Sequence, residues 1–171
     1  MKRTWGLLIT MGALILLFQS CSIKLKSESI PPEMKTINVS FFENDAPLVV
    51  GNLSQLFTEA LKERIRSTTN LSIVTREGDA SLSGSITDYR YGPISIQATQ
   101  ANKAPIAGAS ALTITVKVKF NYDANKKISF DRSFTKSLNY TGDLSSQEQT
   151  LIQAINKQLI DDIFNAAFNN W

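Results

Sequence analysis

The stretch ALTITVKVKFNY, residues 111–122, sets the strongest constraint on this chain. Leu112, Ile114, Val116, Val118 and Phe120 alternate with Thr113, Thr115, Lys117, Lys119 and Asn121. Side chains on a strand point to opposite faces in turn, so this one has an oily side and a wet side. An oily sheet face in a soluble body must be covered, here by helices or by a second sheet. The next segment continues the theme. DANKK reads as a turn, and ISFDRSFTKSL places Ile128, Phe130, Phe134 and Leu138 on one side of a returning strand, making a hairpin.

The covering elements are also legible. In NLSQLFTEALKERIRS, Leu53, Leu56, Phe57, Ala60, Leu61 and Ile65 recur at helical spacing, with Asn52 as the expected N-cap. A second helix is expected near the C-terminus, opening on a capping box of Ser145 and Glu148 and carrying the stripe Ile152, Ile155, Leu159, Ile163, Ala166. Phe164, Phe168 and Trp171 add an aromatic side, for which core packing is the plain account. Before the first helix, TINVSFF alternates like a half-buried strand; after it, LSIV is a short strand, so a crossover with parallel pairing is expected. Then ASLSGSITDYRY reads as a further strand, with Gly84 marking a bulge or a close approach under a helix. The fold class that follows is α/β (α+β): a two-layer sandwich, its mixed four- to five-stranded sheet covered on one face by two amphipathic helices.

The N-terminal 20 residues stand apart. Lys2 and Arg3 precede thirteen uncharged, mostly apolar residues from Gly6 to Phe18. A membrane-spanning helix needs about 20 such residues, so this is the pattern of a secretory signal. It ends at Gln19-Ser20-Cys21, and Cys21 is the only cysteine in the chain. The segment resembles a bacterial lipoprotein signal, which implies that Cys21 becomes the acylated first residue of the mature protein. The expected organisation is residues 1–20 as signal, 21–35 as lipidated cysteine and tether, and 36–171 as one domain. The tether carries Pro31 and Pro32, and from Ser22 to Lys35 it would reach at most roughly 45–50 Å. Ser22 after the cysteine is not the aspartate that resembles an inner-membrane retention signal. The outer membrane, periplasmic side, is therefore the expected location.

Composition narrows the function. Without Lys2 and Arg3, residues 21–171 carry 16 basic and 15 acidic residues. Nucleic-acid binding needs a strong basic excess, so it is not expected. The chain has no histidine. With Cys21 committed to lipid, the commonest general base and the thiol nucleophile are both missing, and no enzyme, metal or cofactor site is expected. Asp161 and Asp162 are adjacent on a helix and point in different directions, so they read as surface charges.

What remains are surfaces. Lys117 and Lys119 fall side by side on the wet face of their strand. The plain account is a solubilising face; the sharper one is a basic ladder for anionic lipid head groups, with Arg132 and Lys136 as further candidates. Strict alternation puts those last two on the apolar side of their strand unless a bulge shifts them. The segment Gly92–Ser110, whose only charge is Lys103, is long for a connection and reads as either docking segment or disorder.

A lipoprotein signal followed in order by IPPEMKTINVSFFENDAPLV, LSQLFTEALKERI, GDASLSGSITDYRY, LTITVKVKF and DIFNAAFNNW resembles the lipopolysaccharide-assembly lipoprotein family LptE, in its Bacteroidota form. The resemblance covers nearly the whole chain and rests on order and spacing, since these are structural patterns. It implies a lipoprotein seated in the lumen of a large outer-membrane β-barrel, LptD, which it plugs and helps to assemble while assisting lipopolysaccharide on its way to the outer leaflet. Lipopolysaccharide and that barrel are the implied partners. The family's lipid-contacting residues have no residue-by-residue match here. A pilot for another secretion pore, or a lipid-binding module without a barrel, is the competing expectation.

Overall fold

A computed structural model of the chain describes residues 30–48, 50–94 and 109–169. The signal segment with Cys21, most of the tether, the greater part of the Gly92–Ser110 segment and Trp171 lie outside the described residues. The elements run β1 (Thr36–Val39), β2 (Glu43–Asn44), α1 (Leu53–Thr68), β3 (Ser72–Val74), β4 (Ala80–Pro93), β5 (Ala109–Tyr122), β6 (Phe130–Thr141) and α2 (Glu148–Phe168). A 3₁₀ turn, Lys126–Ile128, joins β5 to β6.

One mixed sheet holds all six strands in the order β3-β1-β4-β5-β6, with β2 beside β4. β1 pairs in parallel with β3 and with β4, as the crossover through α1 requires. The long strands β4, β5 and β6 pair antiparallel, with Leu82 opposite Phe120 and Phe120 opposite Phe130. Both helices pack on one side, so the two-layer sandwich is as expected.

The apolar row of β5 is fully covered: Leu112, Ile114, Val116 and Val118 have no exposed surface. Ile155, Leu159 and Ile163 of α2 are equally buried, as are Leu53, Phe57, Leu61 and Ile65 of α1. Each such side chain contributes about 1.5–3 kcal/mol by leaving water. Aromatic rings close the ends. Phe42 meets Phe57 at 5.2 Å between centroids, and Phe168 meets Phe164 at 5.0 Å and Phe120 at 5.7 Å.

Several details depart from the sequence reading. TINVSFF is not one strand, because the Phe42 N–H donates to Thr58 Oγ1 of α1 at 3.0 Å. That bond turns the backbone toward the helix, and the chain rejoins β4 where the Asp45 N–H donates to the Ile86 carbonyl. The core also starts earlier than the expected tether boundary, since Met34 is buried and Ile30 packs against the core. Pro32 and Glu33 lie in a turn closed by the Met34 N–H on the Pro31 carbonyl. Neither predicted cap forms. Asn52 sits at φ −118° and ψ 4°, away from the extended backbone that aims a cap side chain at the first amides. Ser145 donates to the Asp143 carboxylate instead, and Glu148 is the first residue of α2.

The irregularity in β4 is not at Gly84 but between Ile86 and Asp88. The extra residue resets the alternation, so Tyr89 joins Leu82 and Ile86 on the buried side. Its hydroxyl donates to Glu148 Oε1 at 2.6 Å, tying β4 to the start of α2. Burial, reinforced by this carboxylate, raises the Tyr89 phenol well above the ordinary tyrosine range, so it stays a donor. Gly84 serves close approach alone. A Cβ there would stand 2.0 Å from the Lys117 carbonyl oxygen and 2.8 Å from the Phe42 ring.

At the other end of the sheet, one Asp79 carboxylate oxygen accepts from the Lys35 N–H, the Thr36 N–H and Thr36 Oγ1, at 2.8–2.9 Å. The Asp79 N–H returns a bond to Thr36 Oγ1. These donors, the Lys35 amide first, hold the Asp79 carboxyl below its ordinary value. A carboxyl lowered on folding stabilises above its unfolded pKa and loses that contribution as pH falls.

Two outcomes are expected. Gly84→Ala should cost about 3 kcal/mol or more, since the clash is with backbone, read as a lowered urea midpoint. Asp79→Asn should flatten the loss of stability below about pH 4 relative to wild type, read from urea midpoints across that range.

Candidate functional site

The side of the sheet away from the helices is a polar surface built by β4, β5 and β6. Ser83 and Ser85 of β4 stand opposite Lys119 and Lys117 of β5, which in turn stand opposite Asp131 and Ser133 of β6. No described element packs on this face. Its hydroxyls bond across the strands: Thr113 with Ser137 at 2.9 Å, and Thr115 with Thr135 at 3.0 Å. Farther along, Arg90 pairs with Asp88 on the same strand. The surface is hydroxyl-rich, and its paired charges are of both signs.

The four basic residues singled out from the sequence do not share one surface. Lys117 and Lys119 are exposed on the polar face, and Lys117 Nζ lies 3.6 Å from Asp131 Oδ1. Arg132 and Lys136 lie on the helix side, because the β5–β6 pairing runs without a bulge. The Arg132 guanidinium stands 4.8 Å from the ring centres of both Phe130 and Phe134. Lys136 Nζ reaches Asp162 Oδ2 of α2 at 2.8 Å. Both are thus engaged locally. Arg132 shields the half-buried aromatics of an edge strand, and Lys136 pins that strand to α2. A joint basic ladder of four is not present, and the polar face offers Lys117 and Lys119.

Asp161 and Asp162 diverge as their adjacency requires. Asp162 serves Lys136, whereas Asp161 accepts from Lys157 at 3.0 Å and meets Arg64 of α1 at 3.2 Å. The Arg64–Asp161 contact links the two helices on their outer side. The sequence carried a signal for the Lys157–Asp161 half, an i,i+4 pair, but none for the interhelical half. Among the described residues, no helix is long and apolar enough to cross a membrane.

A two-layer sandwich with helices on one side and a bare polar sheet on the other defines a small α/β body with a surface to offer. A family model for LptE, described as lipopolysaccharide-assembly, matches residues 34–167, and the chain belongs to that family. The match begins at Met34, where the buried core begins. Among solved structures, a hypothetical protein CT253 from Chlamydia trachomatis is similar over 80% of this chain and 99% of its own, at 10% identity and a TM-score of 0.53. At that identity the likeness is one of fold. A minor lipoprotein from Acinetobacter baumannii is similar over 78% of this chain and 94% of its own, at 14% identity and a TM-score of 0.48. No curated protein matches the sequence. Membership places the chain in lipopolysaccharide assembly, among lipoproteins of the Gram-negative envelope.

The two pairs of basic residues should separate in a stability assay. Arg132→Ala should cost about 1 kcal/mol through lost ring contacts and stem packing. Lys117→Ala should stay within about 0.5 kcal/mol, as an exposed ion pair does. Chemical denaturation of the two variants reads the difference.

Proposed function

We propose that this protein is an outer-membrane lipoprotein, anchored through acylated Cys21 on the periplasmic side, that plugs an LptD-type β-barrel translocon and assists its assembly. In that role it supports transfer of lipopolysaccharide to the outer leaflet without catalysing a reaction. The observation that carries the reading is the uncovered polar face of β4, β5 and β6 in a chain of this family. The interior of an outer-membrane barrel is polar, whereas its outside is apolar. A hydroxyl-rich sheet face is matched to such an interior, and the opposite face is already sealed by α1 and α2. Lys117 and Lys119 are the residues on this face suited to phosphorylated lipid, since Arg132 and Lys136 are engaged on the other side.

A C-terminally tagged chain, purified from outer membranes in mild detergent, should bring down one large β-barrel in near-equal amount. Recovery of the chain alone, where the barrel is expressed and intact, overturns the plug reading in favour of a pilot for another pore or a free-standing lipid module. Lys117→Glu combined with Lys119→Glu should lower lipopolysaccharide binding by the purified chain, a readout taken apart from barrel recovery. Unchanged binding and surface delivery would remove the two lysines from the mechanism.

A further inference from the structure

The sheet has two outer strands, and they are unequal. β3 is three residues long, whereas β6 runs for 12 residues and contains neither proline nor glycine. Its pairing with β5 is unbroken from Ala109 opposite Thr141 to Phe120 opposite Phe130, without a bulge. No described element pairs with its outer edge. The backbone N–H and carbonyl groups along that edge are a template for one more strand. The edge is also unfinished on its helix side. Phe130, Phe134 and Leu138 pack against the core yet stay only half-buried.

Long edges are usually guarded by charge, and β6 carries Arg132 and Lys136 among these apolar residues. Both cations are held in place, Arg132 by the Phe130 and Phe134 rings and Lys136 by Asp162. Fixed charges do not close the edge to every partner; they restrict the register in which a partner can pair. A closed β-barrel wall has no edge strand to offer in return. A second copy of this chain has one of equal length.

The register of such a pair can be worked out. Directly opposed residues of antiparallel strands share a face, so a twofold axis relating two β6 strands must pass through a residue. An axis at Phe134 sets Arg132 against Lys136, and one at Lys136 sets that lysine against itself; like charges directly opposed are destabilising. Axes at Ser133 and Ser137 leave several residues of the strand unpaired. An axis at Thr135 pairs Phe130 through Tyr140 with no like charges opposed. Arg132 then faces Leu138 and Lys136 faces Phe134, while on the polar side Asp131 faces Asn139. We propose that two copies of this chain join antiparallel through β6, on a twofold axis at Thr135, into one continuous sheet. The seam lengthens the polar face without covering it, so Lys117 and Lys119 stay exposed. The inference uses no barrel and is independent of the plug reading.

The test places cysteines on the exposed polar side of β6 in the full chain, purified in mild detergent and treated with a short bis-maleimide. The unaltered chain gives the baseline. Thr135→Cys should form a covalent dimer by itself, because the two copies of this position face each other about 5 Å apart. Asp131→Cys and Asn139→Cys should each stay near baseline alone, since like positions then lie roughly 27 Å apart along the strands. Co-expressed with different tags, those two variants should join in a mixed dimer. Ser133→Glu with Ser137→Glu opposes carboxylates twice across the seam. Within its own chain Ser133 stands opposite Lys117 and Ser137 opposite Thr113, so the fold accommodates both changes. Added to Thr135→Cys, this pair should lower the dimer yield about tenfold. A Thr135→Cys yield no greater than that of Asp131→Cys or Asn139→Cys alone, absence of the mixed dimer, or a yield unmoved by the two glutamates would each overturn the pairing.

Discussion

The opposition between the two faces of β5 is the constraint from which the molecule is built. Five apolar side chains on one side demand cover, and α1 and α2 supply it. The alternate residues on the other side are threonines and lysines, for which cover would mean desolvating hydroxyls and charges. One strand thereby decides that the fold has two layers and not three. β4 conforms to the same split only because its bulge between Ile86 and Asp88 restores the alternation in time to bury Tyr89. A bulge-free β4 would send that phenol to the polar face and leave Glu148 at the head of α2 without its partner.

Close backbone approach is the second requirement. Gly84 lets the Lys117 carbonyl and the Phe42 ring come near β4 at the point where the chain leaves the sheet for α1. Phe42 then packs against Phe57 with its ring tilted, and its N–H is taken by buried Thr58. The helix is therefore docked by a hydrogen bond as well as by oil. This explains why β1 ends at Val39 although the apolar alternation of the sequence continues to Phe41, which is left exposed.

What the sequence disclosed follows from which interactions are periodic. The strand and helix stripes, the hairpin, the parallel crossover and the placement of Arg132 and Lys136 opposite Lys117 and Lys119 all rest on spacing, and spacing can be read. Caps could not be read this way. Ser145 and Glu148 satisfy the capping pattern, yet Asp143 two residues upstream takes the serine, and Tyr89, brought from 59 residues away, takes the glutamate. Asp79, which fastens the start of β1, shows no pattern at all, because its three donors lie 43 and 44 residues away. The buried state of Asn156 was hidden for the same reason. Asn156 reads as an ordinary polar residue in a helix, and only the packed pair reveals that it is buried and unanswered.

The two layers also differ in how they use their polar groups. On the sheet face, hydroxyls pair with one another across strands and Lys117 leans on Asp131, so most of the surface is self-satisfied, with Lys119 left to solvent. On the helical layer, Arg64 and Lys157 share Asp161, while the buried Asn156 Oδ1 and Arg64 Nε stay unpaired. A self-satisfied surface suits contact with a polar wall, where fit matters more than any single bond. The burial of Asn156 is thus hard to account for by folding alone, since a leucine would pack there without an orphaned oxygen. Its cost falls on the helical layer alone, and the sheet face is left free for a protein partner.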